Sequence, residues 1–185
     1  MVELSKSPSE SIVIEDPHGK RATLRLSPGM SVAIIGLDGT GKSTASEMLQ
    51  KALAEAGLPT TSFHWYSARQ TCFMVPVAVL RNRASRKSVQ IFDRSIFDNF
   101  AVWSQRVSSV ALRNRLLTWA AWLAHRLYPR FDAIVHLTAA PEVIARRRPE
   151  MTPSQIARGQ EVYAVLSGVL KTEPLDTVSI RRVAA

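Results

Sequence analysis

Two kinds of apolar pattern alternate along this chain: short unbroken runs, and longer stretches in which apolar residues return at helical spacing. Residues 31–35, SVAII, form a run of the kind made by a strand buried on both faces. Residues 60–65, 89–92 and 133–137 are further strand candidates, and a final strand is expected near 177–180. Between them, Ala45, Met48, Leu49, Ala52, Leu53 and Ala56 recur with the helical period, and Gly57 sits where a helix C-cap would. Further helices are predicted over 96–108 and 110–128. Pro141 opens a short helix that Pro149 must close, because the residue before a proline avoids helical angles. A longer helix starts with Thr152 as N-cap, Pro153 at its first position and Gln155 completing a capping box. Ahead of these, residues 11–14 and 22–26 flank the turn-like DPHGKR and predict a β-hairpin, after which Pro28-Gly29 resets the chain direction. Strands alternating with helices predict a mostly parallel sheet flanked by helices, with ligands at the carboxyl ends of the strands. The chain thus divides into an N-terminal extension, 1–30, carrying the hairpin, and a main domain, 31–185.

Composition narrows the class. A chain of 185 residues makes one domain and can bury roughly 70 per cent of its unfolded surface, so it needs no staples. The single cysteine, Cys72, excludes an internal disulfide and a cysteine-based zinc cluster; it is expected to be a small buried hydrophobe. MVELSKSPSE lacks the basic start and apolar stretch of a signal peptide. The longest apolar stretch, 116–124, is far short of the ~20 residues that a membrane span needs. A cytoplasmic protein with no membrane partner is expected. The net charge of +9 falls in three places, 81–87, 113–130 and 146–148, rather than in one stripe. Such a field suits a protein that handles polyanionic nucleotides, and no nucleic-acid-binding motif accompanies it.

The chemistry starts at residues 36–43, GLDGTGKS, a phosphate-binding loop of the form G-x-x-x-x-G-K-[ST] set between a strand and a helix. Gly36, Gly39 and Gly41 let the backbone curl with its N–H groups inward, at the positive end of the following helix. Asp38, Thr40 and Thr44 complete the nucleotide-contacting stretch; Lys42 is expected to reach the outer phosphates of ATP and Ser43 to ligate Mg²⁺. An ordinary glycine turn does not explain why Lys and Ser follow Gly41.

Two later segments look like parts of the same site. In SVQIFDRSIFDN, an apolar strand ends in Asp93-Arg94, where a carboxylate can hold Mg²⁺ or accept a proton from an acceptor hydroxyl, and the arginine can clamp a phosphate. In PEVIARRRPEMTPSQ, consecutive helical residues lie about 100° apart, so Arg146, Arg147 and Arg148 cannot all face one ligand. Arg147, four residues from Val143 and three from Ile144, shares their inward face and is the expected phosphate contact; the other two are expected in solvent.

GLDGTGKST, the strand-terminal DRS and PEVIARRR followed by a helix resemble the thymidylate kinase group of P-loop kinases, including its relatives of unassigned substrate. The resemblance runs from about Ser31 to the final strand and implies the P-loop NTPase three-layer fold, with a lid at about 141–155. By position, Asp38 resembles the acidic loop residue that contacts the acceptor's sugar, Asp93 and Arg94 the acceptor-binding and charge-stabilising pair, and Arg147 the lid arginine. The family commonly continues DRY-x-x-S-x-x-A-Y-Q. Here Ser95 replaces the tyrosine, Asp98 the serine, and Ala101-Val102-Trp103 follow, so the side chain expected to read thymine is missing.

Asp98, Arg69 and Trp103 are counted as substrate-side candidates, with Phe63, Trp65, Tyr66 and Phe73 as further stacking surface. Trp119 and Trp122, with Leu116 and Leu123, are expected to pack in the core or in a homodimer. His18, His64, His125 and His136 lack metal-ligand spacing and receive no role. The expected activity is transfer of the γ-phosphoryl group of ATP, with Mg²⁺, to a nucleoside monophosphate. A nucleoside, phosphosugar or other metabolite is the next choice of acceptor. An ATP-driven machine is the competing class: transporter ATPases also have a hairpin before the loop, but no L-S-G-G-Q signature follows here.

Overall fold

The computed structural model describes residues 9–64, 70–172, 174–176 and 179–182. β1 (Glu10–Glu15) and β2 (Arg21–Leu26) form the expected hairpin. Its turn is held by Asp16, whose carboxylate accepts hydrogen bonds from the amides of His18 at 2.9 Å and Lys20 at 2.8 Å. The chain then alternates through β3 (Ser31–Ile35), α1 (Lys42–Glu55) and β4 (Thr60–Phe63), and next through a π-helical turn, Gln70–Met74, that runs into α2 (Val75–Ser85). β5 (Val89–Phe92), α3 (Ile96–Ser104), α4 (Val110–Leu127), β6 (Ala133–Thr138), α5 (Pro141–Arg147), α6 (Pro153–Leu170), β7 (Pro174–Asp176) and β8 (Ser179–Arg182) follow.

Five strands make a wholly parallel sheet in the order β4-β5-β3-β6-β7. β3 is central and all five of its residues are buried, which is why it reads as an unbroken run rather than an alternation. Its side chains point alternately to two cores. Val32 and Ile34 pack with Leu49 and Leu53 of α1 and with Ile12, Ile14 and Leu26 of the hairpin. Ile35 packs on the other face with Phe97 of α3, Leu117 of α4 and Leu166 of α6. The fold is therefore three-layered α/β, with a separate antiparallel sheet, β2-β1-β8, closing over α1.

Several elements differ from the sequence expectation. The strand expected over 60–65 ends at Phe63, and Trp65 lies outside the described residues. The helix expected over 96–108 stops at Ser104. The single final strand is instead two: β7 extends the parallel sheet beside β6, and β8 pairs antiparallel with β1. α2 is unanticipated, because Val75 to Leu80 is apolar throughout and shows no helical period; only Val75 and Val79, one turn apart, are buried with Asn82. Cys72 is exposed on the π turn rather than buried. Trp119 and Trp122 are 62 % and 48 % exposed on the outer face of α4, not in the core. Arg113, at the start of the charged stretch 113–130, is buried and donates to Glu161 of α6 at 2.8 Å. No described helix is long and apolar enough to cross a membrane.

Candidate active site

The carboxyl ends of β3, β4 and β5 open toward a cavity of about 490 Å³ at the start of α1. Between β3 and α1 the glycine loop turns sharply. A Cβ on Gly36 would collide with the carbonyl oxygen of Leu137, so only glycine lets β3 pass β6 this closely. Gly39, at φ +93°, carries the lid: a Cβ there would come within 3.2 Å of Arg148 and 3.3 Å of Ile144. α1 starts after Gly41 with no side-chain cap, whereas Ser95, Ser109 and Thr152 cap α3, α4 and α6. Its first amides and positive dipole end are thereby left for an anion at the cavity.

Lys42 is not held out to solvent. Its ammonium folds back on the loop and donates to the carbonyls of Gly36 at 2.7 Å and Leu37 at 3.1 Å, and to Asp38 Oδ1 at 3.2 Å, leaving the residue 7 % exposed. Arg94 reaches the same Asp38 Oδ1 at 3.1 Å. Burial pushes the Asp38 carboxyl up, but Lys42 and Arg94 beside it together outweigh that and hold it below the usual carboxylate range.

Asp93 stands at the end of β5 and is 2 % exposed. Its Oδ2 accepts from the Ser43 hydroxyl at 2.8 Å and lies 2.5 Å from Nδ1 of His64, while its buried Oδ1 has no partner among the described residues. Opposite, Arg147 donates to the carbonyl of Gly39 at 3.0 Å. Arg148, exposed as expected, also lines the cavity. The helical 100° spacing no longer applies to it, because α5 ends at Arg147 and Arg148 has left helical angles.

The cavity thus gathers Asp38, Gly39, Gly41, Lys42, Ser43, Thr44, Asp93, Arg94 and Arg147 from the sequence-predicted set. Gly36, Thr40, Trp103 and Asp98 are not among its lining residues. Gly36 N–H faces Asp98 at 3.4 Å, and the Thr40 hydroxyl turns back to the carbonyl of Leu37 at 2.8 Å. Trp103, expected on the substrate side, points outward from α3, about 200° around the helix from buried Ala101. Arg69 lies outside the described residues, as do Trp65 and Tyr66. Of the other aromatic candidates, Phe63 stacks on Phe92 in the core and Phe73 is exposed.

Asp98 is also drawn inward rather than toward an acceptor. Its Oδ2 accepts from the amide and hydroxyl of Ser95 at 2.8 and 3.1 Å, forming the α3 capping box, and its Oδ1 accepts from the Tyr163 hydroxyl at 2.7 Å. Burial raises the Asp98 pKa, against the opposing pull of Lys42, Tyr163 and Ser95; burial, together with Asp98, pushes Tyr163 far above its usual value. Asp98 therefore ties α3 and α6 to the first loop glycine. Sequence reasoning missed His64 and Arg148 as cavity residues. His64 fell inside the strand expected over 60–65, and nothing within that segment linked it to Asp93.

A parallel α/β sheet whose central strand runs through a glycine loop into a helix opening with Lys and Ser is a P-loop NTPase three-layer fold. No protein-family model matches the chain, and no curated protein matches it. Among solved structures, a deoxyadenosine kinase from M. mycoides with bound dATP is similar at 16 % identity, over 80 % of this chain and 91 % of that one, with a TM-score of 0.47. A likeness this loose says nothing about what the present chain acts on.

Proposed function

We propose that the chain is an ATP- and Mg²⁺-dependent phosphotransferase that passes the γ-phosphoryl group to a nucleoside monophosphate or similar small acceptor. The observation that carries this reading is the convergence in one cavity of Lys42 and Ser43 from the loop, Asp93 from the sheet edge, and Arg94, Arg147 and Arg148 around them. Four cations on one cavity match a polyphosphate and the charge spread in its transfer.

The residues present fit a magnesium ion. Asp93 offers a buried Oδ1 with no partner among the described residues, while its Oδ2 accepts from the Ser43 hydroxyl. Among the described residues no group of three or more His, Cys, Asp or Glu could hold a metal alone. That suits Mg²⁺, which takes one or two protein ligands and completes its shell with phosphate and water. When bound it draws charge from the phosphate oxygens. The chain's own contribution is positional. The N-terminal amides of α1 take the outer phosphates, Lys42 exchanges the carbonyls of Gly36 and Leu37 for phosphate oxygens, and Arg94 and Arg147 stabilise the transferring group. Asp38, between Lys42 and Arg94, faces the acceptor.

The missing thymine-reading residue, and a Trp103 that points away from the cavity, favour an acceptor other than dTMP. The test is ADP formation from ATP-Mg²⁺ against a panel of nucleosides, nucleotides and phosphosugars. Acceptor-dependent ADP formation is the expected result, and Lys42→Ala lowers it by about a thousandfold or more. Equal ADP formation with no acceptor would overturn the reading in favour of an ATP-driven machine.

A further inference from the structure

We propose that His64 is a positioning residue: it fixes Oδ2 of Asp93 so that Oδ1 is presented to the cation of a metal–nucleotide complex. This rests on the phosphotransferase reading above and assigns a role to a residue outside the loop and its arginines.

The backbone creates the pair. β4 and β5 run parallel with Phe63 opposite Phe92, and the Asp93 amide donates to the Phe63 carbonyl at 3.1 Å, so the next residue of each strand, His64 and Asp93, emerges side by side at the sheet edge. His64 Nδ1 then meets Asp93 Oδ2 at 2.5 Å, and the Ser43 hydroxyl meets the same oxygen at 2.8 Å. Two contacts from two elements, converging on one oxygen, set the plane of the carboxylate. They leave its other oxygen buried, with no partner among the described residues. Buried carboxylate oxygens are rarely left so, because the desolvation is uncompensated. Asp93 lines the cavity, which is built for phosphates and the cation that accompanies them, and that cation is the group assigned to this oxygen. An outer partner that orients a ligating carboxylate in this way affects metal affinity without touching the metal. The role needs only a proton on Nδ1, which the neutral Nδ1–H tautomer and the charged ring both carry.

The side-chain amide of asparagine places an N–H close to where Nδ1 sits, whereas alanine places none. The experiment is calorimetric titration of wild type, His64→Ala and His64→Asn with a non-hydrolysable ATP analogue, in Mn²⁺ and in EDTA. His64→Ala is expected to weaken binding in Mn²⁺ by about tenfold or more and to leave binding in EDTA within about twofold of wild type. His64→Asn is expected to restore most of the lost Mn²⁺-dependent affinity. Wild-type Mn²⁺-dependent affinity in His64→Ala would overturn the proposal, as would an equal loss in EDTA or a failure of asparagine to rescue. A wild-type chain that binds no analogue under either condition would instead remove the phosphotransferase reading itself.

Discussion

Asp38 holds two cations on one carboxylate, Lys42 at 3.2 Å and Arg94 at 3.1 Å, and both are cations that a polyphosphate must recruit. An entering phosphate competes with Asp38 for them and meets its negative charge. Asp38→Asn is therefore expected to raise nucleotide affinity, by about tenfold at most for a single partly solvated charge, while phosphoryl transfer falls as the acceptor loses its contact. Calorimetry beside turnover separates the two effects, and an affinity that stays level would show that the carboxylate does not compete. A second residue-scale effect concerns His136, buried against Tyr163 with its Nδ1 at 3.2 Å from the Ser167 hydroxyl. Burial pulls its pKa from 6.5 down to about 4. The unfolded chain takes up that proton first as pH falls, so the stability that neutral His136 contributes is complete above about pH 6.5 and lost on the way down to about 4. The loss amounts to about 3 kcal/mol. His136→Gln keeps an amide near Ser167 but cannot titrate. The stability gap between wild type and variant, from urea midpoints, should shrink between pH 7 and 4.5; a constant gap would place the titration elsewhere. Asp98, whose raised pKa acts with the opposite sign, is present in both proteins and cancels.

At the scale of the element, two glycines separate what the loop requires from what a helix merely tolerates. Gly168 lies exposed within α6, and a methyl group added there would meet nothing within 4 Å, so Gly168→Ala should raise stability by about 0.5–1 kcal/mol through helix propensity. Gly39→Ala forces a left-handed residue against Ile144 and Arg148, and should loosen the lid contact and lower nucleotide affinity. Thermal melts and nucleotide titrations of the pair test this; a destabilised Gly168→Ala would mean that α6 needs its glycine. The same local character explains which elements were legible in the sequence. α6 announces itself through Thr152, Pro153 and Gln155, and its capping box forms as the spacing predicts. β3 and the loop are likewise written in consecutive residues. α2 was not legible because its apolar face is two residues, Val75 and Val79, inside a longer apolar run. The pairing of His64 with Asp93 was not legible because neighbouring strands of a parallel sheet bring together residues far apart in the chain, and no spacing rule within one segment encodes that register. Asp98 misled for a related reason: position within a motif suggested an acceptor contact, whereas its bonds go to Ser95, Gly36 and Tyr163.

Across the whole molecule, the two cores account for the apolar runs of the strands but not for the outer faces of α2 and α4. Phe73 and Met74 of the π turn, Val77 and Leu80 of α2, and Trp119 and Trp122 of α4 remain exposed. A groove of about 500 Å³ between Pro76 and Leu127 joins the two helices. Surface this apolar is uncommon on a protein that works alone. It is also measurable, because α4 holds two of the four tryptophans of the chain. In a dilute monomer, acrylamide should quench the fluorescence of Trp119 freely and that of Trp122 less, since the Arg126 guanidinium sits 5.1 Å from the centre of the Trp122 ring and covers one face. Trp119→Phe should then remove the more readily quenched of the two α4 components. If a second copy packs on α4, as in the homodimer that is the alternative to core packing for these tryptophans, quenching of Trp119 weakens as protein concentration rises and Trp119→Glu abolishes that dependence. Free quenching at every concentration, with unchanged sedimentation in Trp119→Glu, would show instead that this face stays open in the protein by itself.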